Sequence, residues 1–167
     1  MNIAVRVEPA AGTMSEVDYR WDPDTDILTA NLKARGVGEG MSGSVGVEGS
    51  DGSWLIFDVS AGRINGVEVA VWPSVRKRST LAPPPEIEDV RVTLPSRQSQ
   101  PDVAALEMDT SLVAESDRAE RTIHFLLGRP RATRVVRIAR DILLDLDANT
   151  RLAGVWLLNV PPFPGDQ

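Results

Sequence analysis

The sequence predicts a mainly β fold: antiparallel sheets from two tandem pseudo-repeats, packed as a sandwich or a barrel-like single globule. Three observations carry this. The stretch Trp54 to Trp72 (WLIFDVSAGRINGVEVAVW) reads as two strands joined by a tight turn. A weaker copy, Asp141 to Leu158 (DILLDLDANTRLAGVWLL), lies later in the chain. Elsewhere short apolar runs are broken by frequent turn residues, and strong helical periodicity is missing, which is the pattern of all-β folds.

In the first hairpin Val67, Val69 and Val71 share one face, with Glu68 and Ala70 on the other. β-branched residues suit a pleated, half-buried surface. Between the strands, Gly62 can take a left-handed conformation, and Asp58 or Ser60 can accept backbone N–H bonds. Placing Asp58 on Asp145, with one extra residue in the second turn, aligns Arg63 with Arg151, Gly66 with Gly154 and Val67 with Val155. The apolar positions then agree: Leu55 with Ile142, Phe57 with Leu144, Val59 with Leu146, Val69 with Leu157. Gly66 and Gly154 fall inside strand-like runs, where glycine marks a bulge or a close backbone approach.

Along the chain, Ile3 to Val7 alternates and predicts a first strand. Val17 to Asp22 and Ile27 to Lys33 predict a hairpin around DPDTD. The glycine-rich GVGEGMSG, Gly36 to Gly43, reads as a connector, and Ser44 to Glu48 as a strand. After Trp72 come Pro73, the basic run Arg76-Lys77-Arg78 and three successive prolines, Pro83 to Pro85, which favour an extended break. The predicted organisation is therefore a first β unit over 1–75, a Pro-rich linker with a short strand over 76–101, and a second β unit over 102–167. That short strand is Val90 to Leu94. Val103 to Glu115 reads as a helix and a strand or as two strands. Arg121 to Leu127 and Thr133 to Ala139 follow as strands.

Composition narrows the function classes. The net charge is −6 with a pI near 4.8, which disfavours non-specific nucleic-acid binding. With no cysteine, thiolate metal sites, disulfides and cysteine nucleophiles are excluded. The first residues, MNIAVRVEPAAG, lack the basic start and apolar core of a signal peptide. No run approaches the ~20 apolar residues of a membrane helix. A cytoplasmic protein without membrane or nucleic-acid partners is expected.

Candidate chemistry is sparse. Asp22, Asp24 and Asp26 begin like a calcium loop, but Ile27 stands where the turn glycine belongs and Lys33 where the bidentate glutamate belongs. Asp145, Asp147 and Asn149 begin and fail in the same way. Capping of hairpin turns by these aspartates is the expected role, with no metal and no cofactor. His124 is the only histidine and faces opposite to Ile123 and Phe125. As a general base it needs an orienting carboxylate, for which Asp141 or Glu120 are candidates. Arg134 and Arg137, within RPRATRVVRIAR, read as an acidic-partner or phosphate contact, or as a solvated edge strand that resists sheet pairing. Trp21, Trp54, Trp72 and Trp156 are candidates to line a ligand pocket, to close the core or to form a dimer interface.

WDPDTDILTANL followed by IFDVSAGRINGVEVAV resembles the bacterial and archaeal domain of unknown function 2283. The matching positions are Trp21-Asp22, Asp26, Leu28, Asp58, Gly62, Ile64, Gly66, Val67 and Glu68. Val17 to Trp72 looks like a member with a longer central loop. Val103 to Pro161 keeps Asp145, Leu152, Gly154 and Val155 but has Trp156 in place of the glutamate. The resemblance implies an antiparallel β fold and no established activity. The occurrence of some members beside small toxin-like proteins implies a partner-binding role. The expected function is a non-catalytic interaction module, antitoxin-like or an assembly partner, that binds a protein or itself as a homodimer. The alternative is a small-molecule-binding β barrel or pocket enzyme using His124 and a Trp-lined cavity.

Overall fold

The computed structural model describes residues 3–10, 12–34, 42–94 and 106–164, with the side chains of 106–109 left out. Strands make up 56% of the described residues, which contain no helix. In chain order the strands are β1 (Arg6–Pro9), β2 (Val17–Trp21), β3 (Leu28–Leu32), β4 (Gly43–Gly49), β5 (Trp54–Ser60), β6 (Arg63–Val71) and β7 (Val75–Lys77). They continue with β8 (Glu88–Thr93), β9 (Leu106–Thr110), β10 (Leu112–Ser116), β11 (Ile123–Leu127), β12 (Thr133–Ala139), β13 (Ile142–Asp147) and β14 (Leu152–Leu157). Within the region 103–115, the described residues 106–115 form two strands and no helix. The connector 36–43 and the break at 96–101 fall largely outside the described residues.

All strands belong to one curled sheet, a half-barrel, and it is mixed. The expected purely antiparallel arrangement is corrected by three parallel pairs: β4 with β9, β10 with β7 and β12 with β8. These join strands far apart in sequence, which hairpin turns cannot dictate. Two five-strand runs are antiparallel throughout: β2-β3-β6-β5-β4 and β10-β11-β14-β13-β12. Phe57 lies between Val45 and Val67, and Leu144 between Val136 and Val155. Asp58 faces Gly66, and Asp145 faces Gly154, and each pair is followed by a register shift that leaves one residue (Asn65 or Ala153) bulged.

The hairpin turns follow their residue chemistry. Ala61 and Gly62 both have positive φ (53° and 77°) between the paired Ser60 and Arg63. This is the two-residue turn whose twist matches antiparallel strands. In the second hairpin, Ala148 to Thr150 bridge Asp147 and Arg151, with Thr150 left-handed at φ 56°. The extra residue expected there is accommodated by this longer loop.

One hydrophobic cluster unites the inner faces of both runs. Leu28, Leu55, Phe57 and Val69 share it with Phe125, Ile142, Leu144 and Leu157. Full burial of each such side chain contributes about 1.5–3 kcal/mol. Polar ties cross the same seam. The Tyr19 hydroxyl donates to the Leu158 carbonyl at 2.8 Å, and the Trp21 indole N–H donates to the Pro161 carbonyl at 2.9 Å. Burial, reinforced by the nearby charge of Asp141, raises the Tyr19 hydroxyl pKa well above its ordinary value, so this donor keeps its proton.

Candidate functional sites

The four tryptophans do not form one site. Trp21, at the end of β2, and Trp72, just after β6, stack with centroids 5.7 Å apart and planes 17° apart. Phe163 meets Trp21 edge-on at 5.2 Å, and Trp72 packs against Phe125 at 5.8 Å. The Trp72 N–H donates to the Asp26 carbonyl at 2.7 Å, which ties the stack to the DPDTD turn. Trp21, Trp72 and Phe163, with Val75, Ile123 and Pro162, line an open cleft of about 690 Å³. Trp54 lies elsewhere, 41% exposed on β5. Trp156 is buried on β14 beside His124.

His124 sits on the opposite sheet face from that cleft. Its neighbours Ile123 and Phe125 point toward the core, and strand alternation turns the imidazole outward. There it stacks on Trp156 with centroids 3.8 Å apart and planes 10° apart. Its Nε2 lies 2.5 Å from Asp145 Oδ2, and the other carboxylate oxygen accepts the Trp156 N–H at 3.1 Å. The imidazole is 13% exposed and the carboxylate 4%. Neither Asp141 nor Glu120, the carboxylates expected to orient His124, does so. Asp141 accepts from Asn159 and Glu120 pairs with Lys77.

The pairing with Asp145 depends on Gly154. His124 is on β11 and Asp145 on β13, with β14 between them. A β-carbon at Gly154 would overlap Asp145 Oδ2 and stand 2.7 Å from the Phe125 carbonyl oxygen. The glycine therefore opens a passage across the strand. The Asp-to-Gly register was visible in the aligned hairpins, but its consequence for a residue on a third strand was not.

The other candidates sit in hairpin turns and at a strand junction. Asp22 Oδ1 accepts the Asp24 N–H at 2.9 Å, and Asp26, at φ 61°, donates its N–H to the Asp22 carbonyl. Asp147 Oδ1 accepts the N–H groups of Asn149 and Arg151, while Oδ2 takes Arg131 Nε at 2.9 Å. The carboxylates thus cap turns. No cluster of three or more metal-holding side chains occurs among the described residues. The arginine strand β12 is not an edge, which corrects that expectation. It runs beside β8, where Arg137 pairs with Asp89 at 3.5 Å and Arg134 stands 4.0 Å from Glu88. The acidic start of β8 answers the basic strand, so alternation alone could not reveal the junction. No helix of the described residues is long and apolar enough to cross a membrane.

Comparison with protein-family models and with curated proteins finds no match to either.

Proposed function

We propose that the protein is a non-catalytic interaction module, an antitoxin-like or assembly partner, and that its binding surface is the Trp21–Trp72 cleft. One observation carries this reading: a stacked aromatic pair lines an open concavity that His124 does not reach. Stacked aromatic rings present a large, rigid apolar area at small entropic cost on binding, as at interaction hot spots. The segment Pro161 to Phe163 already lies against Trp21 through one backbone hydrogen bond and one ring contact. An extended partner segment can lie beside it, against Trp72, Val75 and Ile123 on the rest of the cleft wall.

The test uses two exposed valines. Val75 is 39% exposed and lines the cleft, whereas Val71 is 47% exposed and does not. Val75→Asp is expected to abolish co-purification of the partner from the native host, or dimerisation by light scattering if the partner is a second copy. Val71→Asp is expected to retain it. Equal retention by both variants would sink the reading. The second reading, a small-molecule binder, is favoured by the cleft's volume of about 690 Å³, inside the roughly 300–1,000 Å³ range of ligand pockets.

We further infer that the chain arose by duplication of a five-stranded unit, and that the kinship of Val17 to Trp72 with domain of unknown function 2283 extends to the second unit. The support is the shared strand order of the two runs, the Asp–Gly pairs at matched register and the bulge that follows each.

A further inference from the structure

A second cleft, of about 390 Å³, opens on the outer face of the β10-β11-β14 region. Its walls are apolar where Val113, Leu126 and Ala153 line them, and Asp145 lies among the lining residues. Two arginines also line it: Arg76, from the β7 edge, and Arg129, from the loop after β11. Both are exposed, and neither has an ion-pair partner among the described residues. That sets them apart from the other charges here. Arg131 is committed to Asp147, Glu115 to Arg78, and Asp145 to His124 and Trp156. The cleft therefore holds two guanidinium groups outside any salt bridge, with Glu115 across from Arg76 in register, and a largely apolar lining.

We propose that this cleft binds a small organic monoanion with an apolar body. The anionic head meets Arg76 and Arg129, whose planar forks suit an oxyanion. The body covers Val113, Leu126 and Ala153 and excludes water from them. Asp145 and Glu115 disfavour a second negative charge, since like charges brought together in a partly buried site repel strongly. The predicted order of preference is therefore a monocarboxylate with an aliphatic chain, then the dicarboxylate of the same length, then inorganic phosphate, which has no apolar part.

The test is calorimetric or NMR titration of the intact protein with hexanoate, adipate and inorganic phosphate at low salt. Hexanoate is expected to bind with a dissociation constant on the order of 1 mM or tighter, as its few heavy atoms allow. Arg76→Gln and Arg129→Gln are each expected to weaken it about tenfold, the loss of one charge-assisted contact. Arg118→Gln, at the other cleft, is expected to leave it unchanged. All three arginines are exposed, so their replacement leaves the core intact. Absence of hexanoate binding overturns the proposal. So does indifference to both cleft substitutions, or binding of phosphate or adipate as tight as that of hexanoate.

Discussion

At the Asp58–Gly66 pair of the first run and the Asp145–Gly154 pair of the second, one backbone geometry holds two different side-chain arrangements. Over Gly66 the occupant is Asn31, reaching in from β3; its amide oxygen fills the space where a β-carbon would be. Over Gly154 the occupant is Asp145, reaching in from β13. The difference follows from charge. Asn31 is neutral, and the adjacent row across the sheet is Thr29 opposite Glu68. Asp145 is a buried carboxylate and needs donors, and the corresponding row supplies His124 opposite Trp156. A glycine in a central strand thus acts as a socket, and what fills it dictates which residues must stand beside it.

The sharpest way to break this comparison is to fill both sockets. Gly154→Ala places a β-carbon against the Asp145 carboxylate and 2.7 Å from the backbone oxygen of Phe125, and the backbone cannot yield cheaply. The expected loss is about 3 kcal/mol or more. Gly66→Ala meets mainly the amide end of Asn31, which can rotate away, with the Ala30 carbonyl at 3.0 Å. Its expected loss is about 1 kcal/mol. Urea denaturation of both variants measures the difference. Equal losses would mean that the two glycines serve only the local strand path.

The next test removes the partner and keeps the socket. His124→Leu leaves Asp145 Oδ2 buried without its ring partner, and stripping a hydrogen bond from a buried carboxyl group costs about 3 kcal/mol. Thr29→Val, at the matching position of the first run, strips only a half-buried hydroxyl and is expected to cost about 0.5 kcal/mol. The double variant His124→Leu with Asp145→Leu is expected to recover part of the loss, since no uncompensated carboxylate remains. If His124→Leu is as mild as Thr29→Val, the pair contributes nothing beyond packing.

How much of this was legible in the sequence divides along the same line. Strands written in alternating apolar residues were readable, and the bounds of β12, Thr133–Ala139, coincide with the expected strand. The alignment of Phe57 with Leu144 also describes their matched cross-strand neighbours. The parallel contacts were not readable. Alternation tells which face of β8, β9 or β7 is buried and says nothing about which distant strand it joins. Tyr19 escaped notice because its role depends on a carbonyl 139 residues away. The surroundings of the basic residues were hidden for a related reason. Arg134 and Arg137 stood out by spacing yet meet Glu88 and Asp89, whereas Arg76 and Arg129 stand without acidic partners. Charge balance is a property of neighbours in space, and spacing in sequence does not report it.

The mildest prediction concerns the turn aspartates. Burial works against ionisation of Asp147, but the N–H of Arg151, the guanidinium of Arg131 and the N–H of Asn149 together outweigh it, so its carboxyl titrates below the usual carboxylate value. Asp22 is lowered as well, first by the N–H of Asp24 and then by the Thr25 hydroxyl, but at an exposed turn with no arginine on it. A carboxyl whose folded-state value is depressed stabilises the protein above the unfolded value, ~4, and loses that contribution as pH falls through the folded value. Asp147→Asn is therefore expected to lower Tm by about 3 °C at pH 7, the loss of roughly one charge-assisted hydrogen bond in a chain of this size. The gap to the parent protein should close on acidification below pH 4, because the parent then loses the same interaction. Asp22→Asn should shift Tm less at every pH, since water competes freely at its turn. A pH-independent gap for Asp147→Asn would show that the asparagine disturbs the turn geometry and that the carboxylate charge contributes nothing.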